Sequence, residues 1–154
     1  MFVWTAKVSK TKLAALITGI IAVVVLAAVI AAARQETPGA NTGAGDTNEE
    51  RITFLAQFGW EVNAEPVQTQ TVSIPTEDSE VFSRYNELQK SQGYDLSQFA
   101  GKRANRYVYE VLNYPDAEGP VYATVFVHAG KIIGGDVTDT APGGAMHGFS
   151  MPQG

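Results

Sequence analysis

The stretch "VYATVFVHAGKIIGGDV", residues 121–137, decides the fold. It holds two runs rich in β-branched residues, Val121–His128 and Lys131–Val137, separated only by Ala129-Gly130. Two extended runs around a two-residue loop ending in Gly read as a β-hairpin. Paired residue numbers then sum to about 259, which sets His128 opposite Lys131. Gly134-Gly135 suits a bulge, a bend or the close approach of another segment. A phosphate loop needs G-x-x-x-x-G-K-[ST] ahead of a helix, and a dinucleotide site needs G-x-G-x-x-G; neither is present.

Working outward, "NRYVYEVLN" (105–113) alternates Tyr107, Tyr109 and Val111 against Arg106, Val108, Glu110 and Leu112. Both faces carry apolar residues, which marks a central strand. Further upstream, Trp60–Val62 and Val67–Ile74 read as one strand region split by Pro66 and closed by Pro75. Thr47-Asn48-Glu49-Glu50 has the T-x-x-E form of a capping box. It opens a short helix with Ile52, Leu55, Ala56 and Phe58 on one side and Gly59 as its stop. A second helix is expected from about Asp78 to Gln92, with Val81, Phe82, Tyr85 and Leu88 as its apolar stripe. Asp95–Ala100 adds a short helical turn that points Leu96 and Phe99 inward. Late strands joined by short turns make the sheet antiparallel. The expectation is an α+β, two-layer domain: four to five antiparallel strands with two short helices on one face.

Before this domain, Leu13–Ala33 is 21 residues without a charge. As a helix it spans about 30 Å, the thickness of a bilayer's hydrocarbon core. Lys7, Lys10 and Lys12 precede it, and all 16 acidic residues follow it. The positive-inside rule then puts residues 1–12 in the cytoplasm and the domain outside. A cleaved signal peptide, with Ala31-x-Ala33 as the cleavage pattern, is the competing reading; its apolar run is usually shorter. Either way the domain is extracytoplasmic. Residues 34–46, rich in Gly, Pro and polar side chains, form a flexible linker, and residues 47–154 form the domain. Ala15-x-x-x-Gly19 is a small-xxx-small pair, a pattern that chance supplies in so alanine-rich a helix.

The net charge is −5, and the part from Gln35 onward carries −9. Such a surface repels phosphate backbones and excludes a nucleic-acid partner. There is no cysteine, so disulfides, thiolate metal sites and a cysteine nucleophile are excluded. The expected partners are the lipid bilayer, through residues 13–33, and an envelope protein or polymer.

No residue is assigned a catalytic, cofactor-binding or metal-binding role, and no cofactor is expected. The residues with most chemical potential are Asp136, Asp139, His128 and His147. Two histidines with carboxylates fall short of a usual zinc site. As an acid–base pair the carboxylates would have to meet at one reacting centre. No G-x-S-x-G elbow supports a serine nucleophile. Lys102, Arg103 and Arg106 form the one basic cluster of the domain, facing either an anionic surface or an acidic neighbour. Tyr107, Tyr109, Tyr114 and Tyr122 suit sheet packing or a sugar or peptide groove.

The ordered runs "FGWEV", "YNELQKSQGYDLSQFAGK", "RYVYEVLNYP", "IIGGDV" and "MHGF" resemble an uncharacterised domain-of-unknown-function family (DUF4830-like). Its members look like small membrane-anchored extracytoplasmic proteins of Gram-positive bacteria. The resemblance implies anchoring and a compact exported domain, and places Met146-His147-Gly148 within that domain. It carries no activity and no ligand. The function expected is a non-enzymatic binding or regulatory module at the cell membrane. The alternatives are a small envelope hydrolase or transferase working through the four residues above, and a protein that acts through its membrane helix.

Overall fold

The computed structural model describes residues 43–77 and 79–153. The expected cytoplasmic segment 1–12, the transmembrane helix 13–33, most of the linker and Asp78 lie outside them. Among the described residues no helix is long and apolar enough to cross a membrane.

Helix α1 is Asn48–Ala56 and helix α2 is Glu80–Ser91, followed by a 3-10 turn at Leu96–Phe99. The strands are β1 (Gln68–Ser73), β2 (Arg103–Val111), β3 (Val121–His128), β4 (Lys131–Asp139) and β5 (Met146–His147). They form one five-stranded antiparallel sheet in the order β1-β2-β3-β4-β5. The α+β class and the antiparallel sheet are therefore as the sequence suggests.

The hairpin turn places His128 opposite Lys131, with Ala129 at φ 49° and Gly130 at φ 75°. Positive φ at both loop residues gives the twist that two-residue hairpins favour. The register then slips by one residue, from Val127 opposite Ile132 to Phe126 opposite Gly134. The extra residue turns Ile133 toward one core while Ile132 fills the other.

The helices do not share a face. Phe54 and Leu55 of α1 pack with Tyr109, Val125 and Val137. Phe82 and Tyr85 of α2 pack with Ala104, Phe126 and Ile133 on the opposite side. The expected two-layer arrangement is corrected to helix, sheet, helix. The cause is in the central strands: apolar side chains on both faces require cover on both.

The capping box forms, with Glu50 N–H donating to Thr47 Oγ1 and Thr47 N–H to Glu50 Oε2. Arg51, 5% exposed, is the charged residue that pins α1 to the sheet. Its Nε donates to the Tyr109 hydroxyl, its Nη1 to the carbonyls of Gly45 and Asp46, and its guanidinium lies over the Tyr107 ring. Backbone carbonyls and ring faces thus take the place of a carboxylate partner. Gly45 N–H bonds to Gly130 O and Ile132 N–H to Gly43 O, so packing begins by Gly43, upstream of the compositional boundary at Thr47.

Helix α2 departs from its expected stripe. Val81 is 80% exposed, and the buried positions are Asn86 and Gln89, while Phe82 and Tyr85 are half-buried. Both amides satisfy backbone. Asn86 Oδ1 accepts from Leu96 N–H, and Gln89 Oε1 accepts from Gly135 N–H. Asn86 and the Ser97 hydroxyl also donate to Asp95, whose carboxyl they hold down at about 2, the Ser97 bond being the larger cause.

The C-terminal tail returns to the sheet. Val137 pairs with His147, and Phe149 is 1% exposed against Phe54, Phe58 and Tyr94. Trp60 Nε1 donates to Phe149 O, and Phe149 N–H donates to Gln92 Oε1.

Candidate functional site

Helix α2 covers only part of its face of the sheet. Beside it runs a cleft of about 660 Å³. Its floor comes from three strands: Arg106 and Val108 of β2, Tyr122, Thr124 and Phe126 of β3, and Asp136 and Thr138 of β4. These residues share a face because Val108 pairs with Thr124 and Thr124 with Asp136. Tyr85 of α2 forms one wall. Val67 and Met146 stand at the two rims, 55% and 51% exposed. Val67 immediately precedes β1 and Met146 is the first residue of β5, so the cleft crosses the whole sheet.

Asp136 lies beneath Tyr85 in the middle of α2 and is 4% exposed. The Tyr85 hydroxyl donates to Oδ2 at 2.7 Å and the Thr138 hydroxyl to Oδ1 at 2.8 Å. Burial pushes the Asp136 carboxyl above its ordinary range, against the opposing pull of those hydroxyls and of the more distant Arg106 and His147. Burial and the neighbouring carboxylate likewise push the Tyr85 phenol well up, so it remains a donor at any ordinary pH.

Arg106 is half-buried in the same cleft. Its guanidinium makes no hydrogen bond and no ion pair with any described residue; the one ion pair among those residues joins Arg84 to Glu80. Asp136 and Arg106 thus share a cleft without touching. Two strand spacings and two residues of offset place their Cα atoms roughly 12 Å apart.

The structure separates the four residues singled out in the sequence. Asp136 faces the cleft. Asp139 is on the other face, where Oδ1 accepts from Ala141 N–H and closes the turn after β4. His147 is also on that other face, in van der Waals range of Trp60 and Tyr114. Its Nδ1 donates to Gly148 O, and its Nε2 lies 3.2 Å from the Tyr114 hydroxyl. His128 sits at the hairpin end, with Nδ1 donating to Arg103 O and its ring edge-on to Phe99. His128 and His147 are opposite Lys131 and Val137 of β4, about 20 Å apart along the strand. No reacting centre is common to the four. Among the described residues no group of three or more His, Cys, Asp or Glu is placed to hold a metal ion.

Of the tyrosines, Tyr109 is core, Tyr107 carries Arg51 and Tyr114 stacks on Trp60. Of the four strand and loop tyrosines singled out in the sequence only Tyr122 opens into the cleft, where it joins Tyr85 of α2. The basic cluster divides as well, with Lys102 over Phe99 and Arg106 in the cleft. What sequence reasoning missed is the group of Tyr85, Arg106, Thr124 and Thr138. The available signal was Arg106 itself, a charge placed between apolar residues on a strand that is buried on both faces.

Fold and site together define a small α+β domain with an amphipathic cleft on one sheet face. Residues 54–137, more than half of the chain, match the family described as Domain of unknown function (DUF4830), and the chain belongs to that family. The match begins in α1 and ends in β4, so it contains most of the cleft but neither β5 nor Phe149. The comparisons with curated proteins and with solved structures give no match.

Proposed function

We propose that the chain is a membrane-anchored extracytoplasmic module that binds a component of the cell envelope and does no chemistry on it. Leu13–Ala33 supplies the anchor, and the lysines before it set the orientation. The observation that carries the binding role is the cleft: a concave, mostly apolar surface with a few convergent polar groups. Its rims are the exposed Val67 and Met146, while most large apolar side chains of the domain are buried. Between those rims Arg106 and Asp136 add the few charged groups that fix a ligand's orientation in a pocket of this kind.

Native mass spectrometry of the full chain, purified from the membranes of its own cells, tests this reading. The wild type is expected to carry a discrete added mass. Val67→Trp narrows the mouth of the cleft without disturbing a buried position, and is expected to lose that mass. An absent adduct, or one that Val67→Trp retains in full, contradicts the reading.

A further inference from the structure

We propose that the cleft is built for a ligand with a single carboxylate on an apolar body, and that Arg106 is the residue that takes the carboxylate. The proposal rests on the binding role argued above and names the ligand class for that site. Three observations carry it.

First, Arg106 lines the cleft with a planar fork of donors; no described residue hydrogen-bonds or ion-pairs with its guanidinium, and its charge acts on Asp136 and Tyr85 only at longer range. A guanidinium in that state matches a carboxylate, which it can hold through two parallel hydrogen bonds. Second, the charge of the cleft suits one negative charge and not two. Arg106 is its one basic residue, and Asp136 is the acidic group beside it. The Asp136 oxygens are turned inward to the hydroxyls of Tyr85 and Thr138, so Asp136 does not neutralise Arg106 directly. A dianionic phosphate next to that carboxylate would meet repulsion that a monoanion meets only in part. Third, the cleft offers apolar surface near Arg106, from Val108 and Phe126, and again at the rims, from Val67 and Met146, with Gln68, Thr124 and Thr138 between. An apolar body displaces water from these side chains once its carboxylate is anchored.

The same chemistry occurs in a short acyl carboxylate and in the C-terminal carboxylate of a peptide. The peptide source adds an amide, for which Thr124, Thr138 and Gln68 offer hydrogen-bond partners in the cleft.

The test uses the full chain with its methionines labelled at the methyl carbon. Met146 reports from the rim, and Met151 lies outside the cleft as an internal control. Hexanoate, N-acetyl-leucine, hexanol and hexyl phosphate are titrated as separate probes. Saturable movement of the Met146 methyl is expected with hexanoate or N-acetyl-leucine. The tighter of the two identifies the acyl or the peptide source. Arg106→Gln is expected to weaken that binding about tenfold or more while leaving hexanol unchanged, because a hydrogen bond to a charged group is what is lost.

Saturable binding of hexanol or hexyl phosphate with none of either carboxylate overturns the ligand class and leaves the cleft as a binding site. Equal carboxylate affinity in wild type and Arg106→Gln overturns the role of Arg106. If no probe moves Met146, the ligand class fails, while an adduct lost on Val67→Trp would still uphold the binding role.

Discussion

At Asp136 two hydroxyls converge on one buried carboxyl, and the cost of burial outweighs them. Its affinity for a proton is higher in the folded chain than in the unfolded one. The sign of the linkage follows. Below the ordinary carboxyl value of 3.8 both states hold the proton and nothing is lost. As pH rises from there through the raised folded value, the unfolded chain releases its proton first and stability falls. Urea unfolding of wild type and Asp136→Asn across pH 4–7 checks this. The wild type is expected to lose stability relative to the variant as pH rises, and a flat or inverse difference contradicts the account. Gly135 shows the opposite kind of constraint. A Cβ there would overlap the Thr124 carbonyl oxygen and the Phe149 ring. The second glycine of "IIGG" is therefore explained by close approach of the tail, as a bend or bulge residue would be, and not by a phosphate.

Among the elements, the C-terminal tail contributes more to the core than its length suggests. Phe149 fills the space between α1 and Tyr94, while its backbone ties Trp60 to Gln92. Truncating a fully buried Phe typically costs about 3–5 kcal/mol. Phe149→Ala is expected to fall in that range by chemical denaturation. A loss below about 1 kcal/mol would mean the tail is not part of the core. Met146, three residues earlier, is free to serve the cleft because it points away from this packing. The elements were largely legible in the sequence. The capping box, the Ala129-Gly130 hairpin and its first two pairs, the split before β1 and the interior place of β2 all follow from local rules of period and turn chemistry, whereas the one-residue shift beyond Val127 does not. The stripe of α2 was legible only in part: Phe82 and Tyr85 pack on the sheet as expected, whereas Val81 is exposed. A hydrophobic pattern favours Val81, but β5 pairs only with Val137 and Thr138 and leaves the edge of β4 open at Gly135, whose N–H donates to Gln89 and whose carbonyl accepts from Gln92. That demand arises from tertiary contact and has no local signature.

For the whole molecule, the side on which each helix packs depends on how apolar residues divide between two faces. β2 already carried that information in Val108 against Tyr109. The candidate site was less legible than the fold. Asp136 stood out in the sequence, whereas Tyr85 read as core and Arg106 as part of a surface cluster. Their convergence depends on strand register and on how far α2 extends over the sheet. The central claim is that this cleft faces the outside of the cell and is occupied there. The chain has no cysteine, so single thiols can be introduced as unambiguous probes. The measurement is the rate of modification by a membrane-impermeant maleimide, in intact cells and in protein purified and stripped of ligand. Tyr122→Cys probes the cleft and Val81→Cys probes the exposed side of α2. The account predicts that both variants react in intact cells. It predicts further that Tyr122→Cys alone reacts several-fold more slowly in cells than after stripping. Failure of both to react in intact cells, or equal rates for Tyr122→Cys in the two settings, would contradict it.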